Sequence, residues 1–326
     1  MTDVLMQVRD LDMHFPSASK GRKAANPVRA VDNVSFDVHR GESFGIVGES
    51  GSGKTTLGRC LMQILSPTGG SVRFNPRGKP EVEMTEADTA ALRAIWRDIR
   101  MVFQDPQSSL NPRLRVIDLI GQSLRQSEGL KGQALADRVS ELLLQVGLRP
   151  EFLQRYPNAF SGGQRQRLGI ARALATRPEL VIADEAVSAL DVSIQAQTLN
   201  LLMDLQEQFE LTYIFIAHDL AVVEHFCDRI AVMYRGRIVE LANAEDLFRS
   251  PRHPYTRSLM DSVPIPDPRA RRAKRAAAPP ANGPEPVAGC LYAPRCPKAT
   301  ELCRTTPPVR RQIAGAHVYC HFAEAD

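Results

Sequence analysis

The segment that most constrains the fold is GESGSGKT, at residues 48–55. It satisfies the pattern G-x-x-x-x-G-K-[ST] at every fixed position, follows a short apolar run at residues 43–47 and precedes apolar residues at helical spacing. In such a loop the glycines let backbone N–H groups point at phosphate oxygens, and the dipole of the following helix adds positive potential. The segment therefore predicts a strand, a phosphate-binding loop and a helix in succession.

Strand and helix patterns alternate along most of the chain. Strand patterns cover residues 4–15, 30–38, 43–47, 180–183 and 213–217. Apolar residues at helical spacing cover residues 87–99, 116–126, 133–146 and 194–209. Between the first two strand patterns, residues 16–27 are polar and rich in helix breakers, which predicts a loop. The alternation predicts a mostly parallel sheet covered on both faces, with a helical insert in the middle of the chain.

Length, charge and hydropathy narrow the class of protein. A chain of 326 residues with 43% hydrophobic residues is ample for a buried core and excludes a wholly disordered protein. No apolar stretch approaches the roughly 18 residues of a membrane-spanning helix, and the N-terminus lacks the pattern of a secretory signal. We therefore expect a cytosolic protein. A net charge of +4 is too small to indicate a nucleic-acid partner.

The composition changes after about residue 263. Residues 263–286 are dominated by proline, alanine and arginine, which predicts a linker without fixed structure. A solvated linker is the favoured interpretation of the basic residues in it, and attraction to anionic lipid headgroups is the alternative. The boundary separates a large N-terminal domain, residues 1–262, from a short extension, residues 287–326.

A pair of acidic residues indicates that the phosphate-binding loop takes part in hydrolysis. Asp184 and Glu185 end the buried strand pattern at 180–183, and the carboxyl edge of a parallel sheet would place them beside residues 48–55. Lys54 would reach the β- and γ-phosphates, while Thr55 and Asp184 would hold Mg²⁺. Glu185 is then positioned as a general base for an attacking water. Taken alone, the two acids could equally cap a helix.

A second helix start has the composition of an anion-binding site. Ser161, Gly162 and Gly163 precede a helical stretch that runs to about residue 175. One chain gains little from two phosphate cradles far apart in sequence. If two chains face each other head to tail, each cradle can close over the nucleotide of the partner.

Taken together, these motifs resemble the ATP-binding cassette ATPases, the nucleotide-binding subunits of ABC transporters. The resemblance also includes Gln104 after a strand pattern, the SALD string at residues 188–191 and His218 at the end of an apolar run. It implies an α/β fold: a P-loop (RecA-like) core at residues 1–85 and 176–262 with an antiparallel β section, an inserted helical subdomain at residues 86–175, and a Cys-rich C-terminal extension.

The resemblance implies a Mg²⁺-dependent ATPase with ATP and Mg²⁺ as its ligands. Four residues take catalytic roles: Lys54, Gln104, Glu185 and His218. Three hold Mg²⁺: Thr55, Gln104 and Asp184. Residues of the nucleotide site, with Phe15 as the adenine-stacking candidate, are Phe15, Gly48, Ser50, Gly51, Ser52, Gly53, Lys54, Thr55, Thr56, Gln104, Ser161, Gly162, Gly163, Gln164, Asp184, Glu185, Asp191 and His218. Within this set, the resemblance implies that Ser161 and Gly163 bind the γ-phosphate of the partner's ATP and that Asp191 lies at the dimer seam.

Three longer strings are similar to the dipeptide/oligopeptide branch of this family: residues 105–113, 187–193 and 252–256. That branch implies a paralogous second ATPase, two transmembrane permease subunits, an extracytoplasmic substrate-binding protein, and a position on the cytoplasmic face of the inner membrane. Two departures from the family pattern are Ala186, where proline is common, and Phe160, where leucine is common. Ala186 could loosen the turn that holds Glu185.

Two alternatives to peptide import stay open at this point. Nickel–chelate and glutathione importers use closely similar ATPases, and the cassette does not touch the cargo. A non-transport ABC protein acting on ribosomes or DNA belongs to a different class. That class predicts two cassettes in one chain or a long coiled-coil insert, and the sequence has neither.

Four of the six cysteines lie in the last part of the chain, at Cys290, Cys296, Cys303 and Cys320. Clustered thiolates in a cytosolic chain suit a soft metal or an iron–sulfur cluster better than disulfides, and the lack of a C-x-x-C pair disfavours a zinc knuckle. Resemblance to peptide-transporter ATPases with such a tail implies a [4Fe–4S] cluster. Zn²⁺ and metal-free thiols are the alternatives, with His317 and His321 as substitute ligands.

Overall fold

The structure, a computed structural model, describes residues 3–16, 27–105, 109–188, 190–262 and 288–324. Its strands are β1 (Val4–Phe15), β2 (Val28–His39), β3 (Ser43–Val47), β4 (Gly69–Phe74), β5 (Val82–Glu83), β6 (Ile99–Val102), β7 (Leu180–Asp184), β8 (Thr212–Ala217), β9 (Arg229–Tyr234), β10 (Arg237–Asn243), β11 (Arg311–Ile313) and β12 (Ala316–Val318). Its α-helices are α1 (Lys54–Leu61), α2 (Thr89–Ile95), α3 (Val116–Ser127), α4 (Gly132–Gln145), α5 (Gly162–Leu174), α6 (Val192–Phe209), α7 (Leu220–Phe226), α8 (Ala244–Arg249), α9 (Pro254–Asp261) and α10 (Glu301–Thr305). Short 3₁₀ turns lie at Pro150–Gln154, Pro157–Ala159 and Ala293–Arg295.

The larger sheet forms the centre of the molecule. Its strand order is β11-β12-β10-β9-β3-β8-β7-β6, with parallel pairing from β9 to β6 and antiparallel pairing from β9 to β11. Every residue of β3, β7 and β8 is buried, because helices or the second sheet cover both faces. The predicted mixed α/β fold is confirmed, and β3, β7 and β8 end at one edge of the sheet.

The smaller sheet is the expected antiparallel section near the N-terminus. Its order is β2-β1-β4-β5. Along β1 and β2 the inward residues alternate with outward ones, as a half-buried strand requires. Its inner face shares one hydrophobic core with α1 and the large sheet, in which Leu5, Phe36, Phe44 and Leu57 are buried. This packing fixes α1, and hence the loop before it, against the large sheet.

A helical layer built from α3, α4 and α5 packs over the second hydrophobic core. Each of these helices turns an apolar face inward, with Ile120, Val139 and Ile170 among the buried residues. The helical subdomain expected at residues 86–175 therefore contains these helices. The same range also includes β6, the strand that we expected before Gln104, which is the edge strand of the large sheet.

The cysteine-bearing tail extends the large sheet. Strands β11 and β12 form a hairpin, and β12 pairs with β10 through Glu240 opposite Val318 and Leu241 opposite His317. The linker predicted at residues 263–286 lies outside the described residues. Within the ranges that the structure describes, no helix combines the length and apolar composition needed to span a bilayer.

Candidate functional site

The phosphate-binding loop lies between β3 and α1, as its sequence context predicts. Gly53 caps the helix with φ of +103°, in the left-handed region, and a Cβ there would lie 2.0 Å from the carbonyl oxygen of Ala30. A Cβ on Gly48 would lie 2.2 Å from the carbonyl oxygen of Met233. The loop is therefore wedged between β2 and β9, and only glycine fits at these two positions.

Lys54 is the first residue of α1 and is buried, with 4% of its surface exposed. Its ammonium donates hydrogen bonds to the carbonyl oxygens of Gly48 at 2.8 Å and Glu49 at 3.0 Å. Burial lowers the pKa of Lys54 from its usual value, and the carboxylates of Glu185, Asp184 and Glu49 oppose that decrease. The loop thus curls around a desolvated cation, which is suited to a phosphate ligand.

Thr55 and Asp184 bring two oxygen donors together. The Thr55 hydroxyl donates a hydrogen bond to Oδ1 of Asp184 at 3.1 Å, joining α1 to the end of β7. Burial raises the pKa of Asp184, although this hydrogen bond opposes the increase. A hydroxyl and a carboxylate oxygen at this separation are hard ligands of the kind that Mg²⁺ binds.

Glu185 forms the centre of a polar triad beyond the end of β7. Its Oε2 accepts a hydrogen bond from Nε2 of Gln104 at 2.8 Å and lies 3.3 Å from Nδ1 of His218. Glu185 has φ of +47°, and its backbone N–H donates to Ile216 in β8. The neighbouring Ala186 is buried, and the turn is held by Ser188, whose hydroxyl donates to the carbonyl oxygen of Glu185. Three strand ends therefore contribute to one carboxylate-centred site.

The second glycine-containing segment forms the start of α5. Ser161 and Gln164 form a reciprocal capping box, in which each side chain accepts a hydrogen bond from the backbone N–H of the other. A Cβ on Gly163 would lie 2.6 Å from Cγ2 of Ile194, so a close approach to α6 requires the glycine. Asp191 caps α6 and accepts a bond from the N–H of Ile194. The contact of Gly163 with Ile194 thus holds the start of α5 against the start of α6.

Phe15, the adenine-stacking candidate, lies at the end of β1. It pairs with Val28 at the start of β2, two residues from Ala30, which abuts Gly53. Phe15 is only partly buried and packs at the margin of the core. Phe15 is therefore partly exposed, on a strand whose partner β2 abuts the loop.

Sequence reasoning missed Tyr255 as a neighbour of the loop. The buried Tyr255 hydroxyl accepts a hydrogen bond from the backbone N–H of Glu49 at 2.9 Å. Tyr255 lies in the string at residues 252–256, which the sequence marks only as similar to the dipeptide/oligopeptide branch. A contact between residues 206 positions apart leaves no signal in one sequence.

The four tail cysteines line one small cavity of about 10 Å³, roughly the space of a single water molecule. Burial raises the pKa of the Cys290, Cys296 and Cys320 thiols, and nearby cysteine sulfurs add to the increase. His321 also lines the cavity. Among the described residues, one group of three potential metal ligands has all its ligand atoms within 4.8 Å of one another. That group contains no cysteine. The thiols are thus gathered around a cavity without the close spacing of a mononuclear site.

Two family profiles match the chain. The profile described as "ABC transporter" matches residues 31–188, and the one described as "Oligopeptide/dipeptide transporter, C-terminal region" matches residues 239–303. The first spans the phosphate-binding loop, Gln104, Ser161 and the two acids, and the second spans the start of the cysteine-bearing tail.

Curated relatives match nearly end to end. A probable peptide ABC transporter ATP-binding protein, y4tS of Sinorhizobium fredii, is 49% identical over 98% of this chain and 90% of its own length. The oligopeptide transport ATP-binding protein AppF of Bacillus subtilis is 44% identical over 98% of both chains. The di/tripeptide transport ATP-binding protein DppF of Pseudomonas aeruginosa is 44% identical over 99% of this chain and 98% of its own.

Solved structures support the same assignment. A dimeric post-hydrolysis state of the ATP-binding cassette MJ0796, bound to ADP and Pi, has a TM-score of 0.64 at 28% identity, covering 74% of this chain and 99% of that one. The cbiO1 protein of Clostridium perfringens, part of an ABC transporter complex, has a TM-score of 0.64 at 26% identity, covering 76% and 92%. The chain belongs to the family of ABC transporter ATP-binding proteins, in its dipeptide/oligopeptide group.

Proposed function

We propose that this chain is the ATP-hydrolysing subunit of an ABC importer and that it drives uptake of dipeptides and oligopeptides. The observation that carries the proposal is the hydrogen-bonded arrangement of Gln104 and His218 around Glu185, beside a loop that encloses the ammonium of Lys54. The cargo is supported by relatives named for peptide, oligopeptide and di/tripeptide transport.

Hydrolysis uses residues of this chain in defined roles. Glu185 orients a water for in-line attack on the γ-phosphorus and accepts its proton as the new P–O bond forms and the bond to the ADP oxygen breaks. Lys54 offsets the charge of the β- and γ-phosphates, and His218 contacts the γ-phosphate and braces Glu185. Phe15 stacks on adenine.

Thr55, Gln104 and Asp184 would hold Mg²⁺. The 3.1 Å hydrogen bond between the Thr55 hydroxyl and Asp184 shows that two oxygen donors already converge there. When bound, Mg²⁺ neutralises charge on the phosphate oxygens. Gln104 also bonds Glu185, so the same amide connects the metal ligands to the base.

The complete catalytic site requires a second ATPase subunit, which we propose is paralogous. Ser161, Gly162, Gly163 and Gln164 then bind the γ-phosphate of the partner's ATP, and Asp191 lies at the seam. Ser161 is exposed, and so is Val192, the residue after Asp191, with 83% of its surface accessible. This exposure supports a surface that faces another molecule. The similar cassette MJ0796 is itself described as dimeric.

Assembly with membrane partners follows from the family. We place the ATPase pair on the cytoplasmic face of the inner membrane, against two permease subunits that receive peptide from an extracytoplasmic binding protein. Closing of the pair on ATP and its reopening after hydrolysis supply the motion that the permease uses.

For the tail, we propose a [4Fe–4S] cluster held by Cys290, Cys296, Cys303 and Cys320. Support comes from the convergence of all four thiols on one small cavity. Zinc is less well suited, since Zn–S bonds of about 2.3 Å would draw the sulfurs to within about 4 Å of one another. Among the described residues, no three cysteine sulfurs all lie within 4.8 Å of one another. Loading would release the thiol protons that burial retains.

The importer is tested by reconstituting the chain with its permease and second ATPase in proteoliposomes. Uptake of a labelled dipeptide or oligopeptide should require ATP and stop with Glu185→Gln in this chain. If the complex hydrolyses ATP independently of peptide and takes up no peptide, the proposed cargo is rejected. If the wild-type complex hydrolyses no ATP, the proposed function is rejected.

A further inference from the structure

A residue of the tail forms an ion pair with the phosphate-binding loop. The guanidinium of Arg295 donates from Nη1 to Oε2 of Glu49 at 2.9 Å and from Nη2 to Oε1 at 3.0 Å. Two parallel charge-assisted bonds fix the direction as well as the position of a carboxylate. This contact joins residues 246 positions apart and connects the extension directly to the second residue of the GESGSGKT segment.

Aromatic residues hold the arginine in place. Its guanidinium lies over the rings of Tyr292, at 5.7 Å, and Tyr234, at 6.0 Å. Those rings pack on Tyr255, whose hydroxyl accepts the backbone N–H of the same Glu49. The backbone and the side chain of Glu49 are thus held from one aromatic cluster, so the loop entrance has little freedom to move.

The negative charge of the Glu49 carboxylate would oppose phosphate binding if it were not balanced. Glu49 lies in the loop that would surround the phosphates, and its backbone carbonyl oxygen accepts a hydrogen bond from the Lys54 ammonium at 3.0 Å. Without a counter-charge, Glu49 would compete with phosphates for the ammonium and would repel them. The side chains of Arg295 and Glu49 are 31% and 42% exposed, so the pair is partly shielded from water.

We infer that Arg295 is a positioning residue for ATP: it neutralises Glu49, turns that carboxylate away from the phosphates and holds the loop entrance open for them. The inference rests on the proposed function and makes the tail part of the ATP site. Within the tail, Arg295 immediately precedes Cys296, in the segment that begins at Cys290. Backbone bonds tie this segment together, from Ala293 to Cys290 at 3.0 Å and from Cys290 to Cys303 at 2.7 Å.

The test compares two single variants and their combination in the full chain, assembled with its second ATPase and permease for the kinetic measurements. Arg295→Gln should raise the KM for ATP and the Kd for the non-hydrolysable analogue AMP-PNP by about three- to tenfold, with kcat changed less than about twofold. Glu49→Gln should bind AMP-PNP at least as tightly as wild type. The double variant should bind more tightly than Arg295→Gln, because the unpaired carboxylate is gone. A purely structural contact would make the double variant no better than the single one.

Arg304→Gln is the matched control, since Arg304 is a tail arginine in an exposed pair with Glu301 at 3.7 Å. It should leave KM unchanged. Unaltered affinity in Arg295→Gln, or no recovery in the double variant, would overturn the inference while the wild-type ATPase still supports the proposed function. If Arg295→Gln does not fold, weaker AMP-PNP binding by Glu49→Gln overturns it instead. A wild-type complex of this chain with its second ATPase and permease that hydrolyses no ATP would reject the proposed function itself.

Discussion

Glu185 and His218 meet across the ends of two neighbouring parallel strands, with Oε2 of the glutamate 3.3 Å from Nδ1 of the histidine. The register of β7 and β8 places Asp184 opposite Ile216, so the residues that follow each strand emerge side by side. The Glu185 side chain is 15% exposed whereas that of His218 is 52% exposed. The carboxylate is thus sheltered, and the imidazole is open to solvent.

Replacing Glu185 with glutamine should separate binding from chemistry. The amide keeps the shape of the side chain and can still bond its neighbours, but it cannot accept the proton of the attacking water. We expect AMP-PNP affinity within about threefold of wild type and a kcat lower by about 10²- to 10⁴-fold, measured as phosphate release. Glu207→Gln, on the exposed surface of α6, is the control and should be active. Near-normal turnover by Glu185→Gln would remove this residue from the role of base.

Gly53 should tolerate no side chain. Gly53→Ala combines a left-handed φ of +103° with a Cβ only 2.0 Å from a backbone oxygen of β2, so strand or loop must shift. We expect a loss of about 3 kcal/mol or more in the free energy of unfolding and loss of ATP binding. Gly78→Ala has a comparable φ of +67° with no atom within 4 Å of the new Cβ, and should cost only about 1 kcal/mol. Equal losses in the two variants, from denaturant titration, would contradict the steric argument.

The elements that surround the site could be predicted from the sequence closely. The limits expected for β3, 43–47, agree with the structure, and those for β7 and β8 differ by one residue. Fully buried parallel strands give continuous apolar runs, which are easy to recognise. The apolar residues Ile64 and Leu65 continue the helical pattern of α1, yet the helix ends at Leu61. Just beyond the helix, Gln63 adopts a left-handed φ of +55°. Neither Ile64 nor Leu65 indicates this turn in the sequence.

The place of the tail could not be predicted. Its two strands have three residues each, too short for a periodic pattern, and they become strands because β10 offers an unpaired edge. The pair between Arg295 and Glu49 depends on that docking. The tail is also stabilised by Tyr292 and Val318, which are buried in the main hydrophobic core.

Cys60, in α1, should be chemically inert at neutral pH. Burial raises the pKa of its thiol to about 11, so at pH 8 the thiolate is on the order of one part in a thousand. Iodoacetamide should therefore leave Cys60 unmodified at pH 8 in the native protein, and the modification should increase as the pH approaches 11. Unfolding in guanidinium should remove this protection, as peptide mass mapping would show. Rapid labelling of native Cys60 at pH 8 would mean that α1 opens readily.

Protein purified without oxygen should carry iron and sulfide in the cavity of the tail. We expect broad absorbance at about 400 nm and about four irons and four sulfides per chain. Cys296→Ser removes one of the four thiols that line the cavity and should lower both contents and the absorbance severalfold. Cys60→Ala removes a buried cysteine that is distant in sequence from the tail, and this variant should retain its iron, its sulfide and the absorbance. Zinc in place of iron, or equal iron in both variants, would reject the four-cysteine cluster and leave the ATP site as proposed, because no residue of that site ligates the cluster.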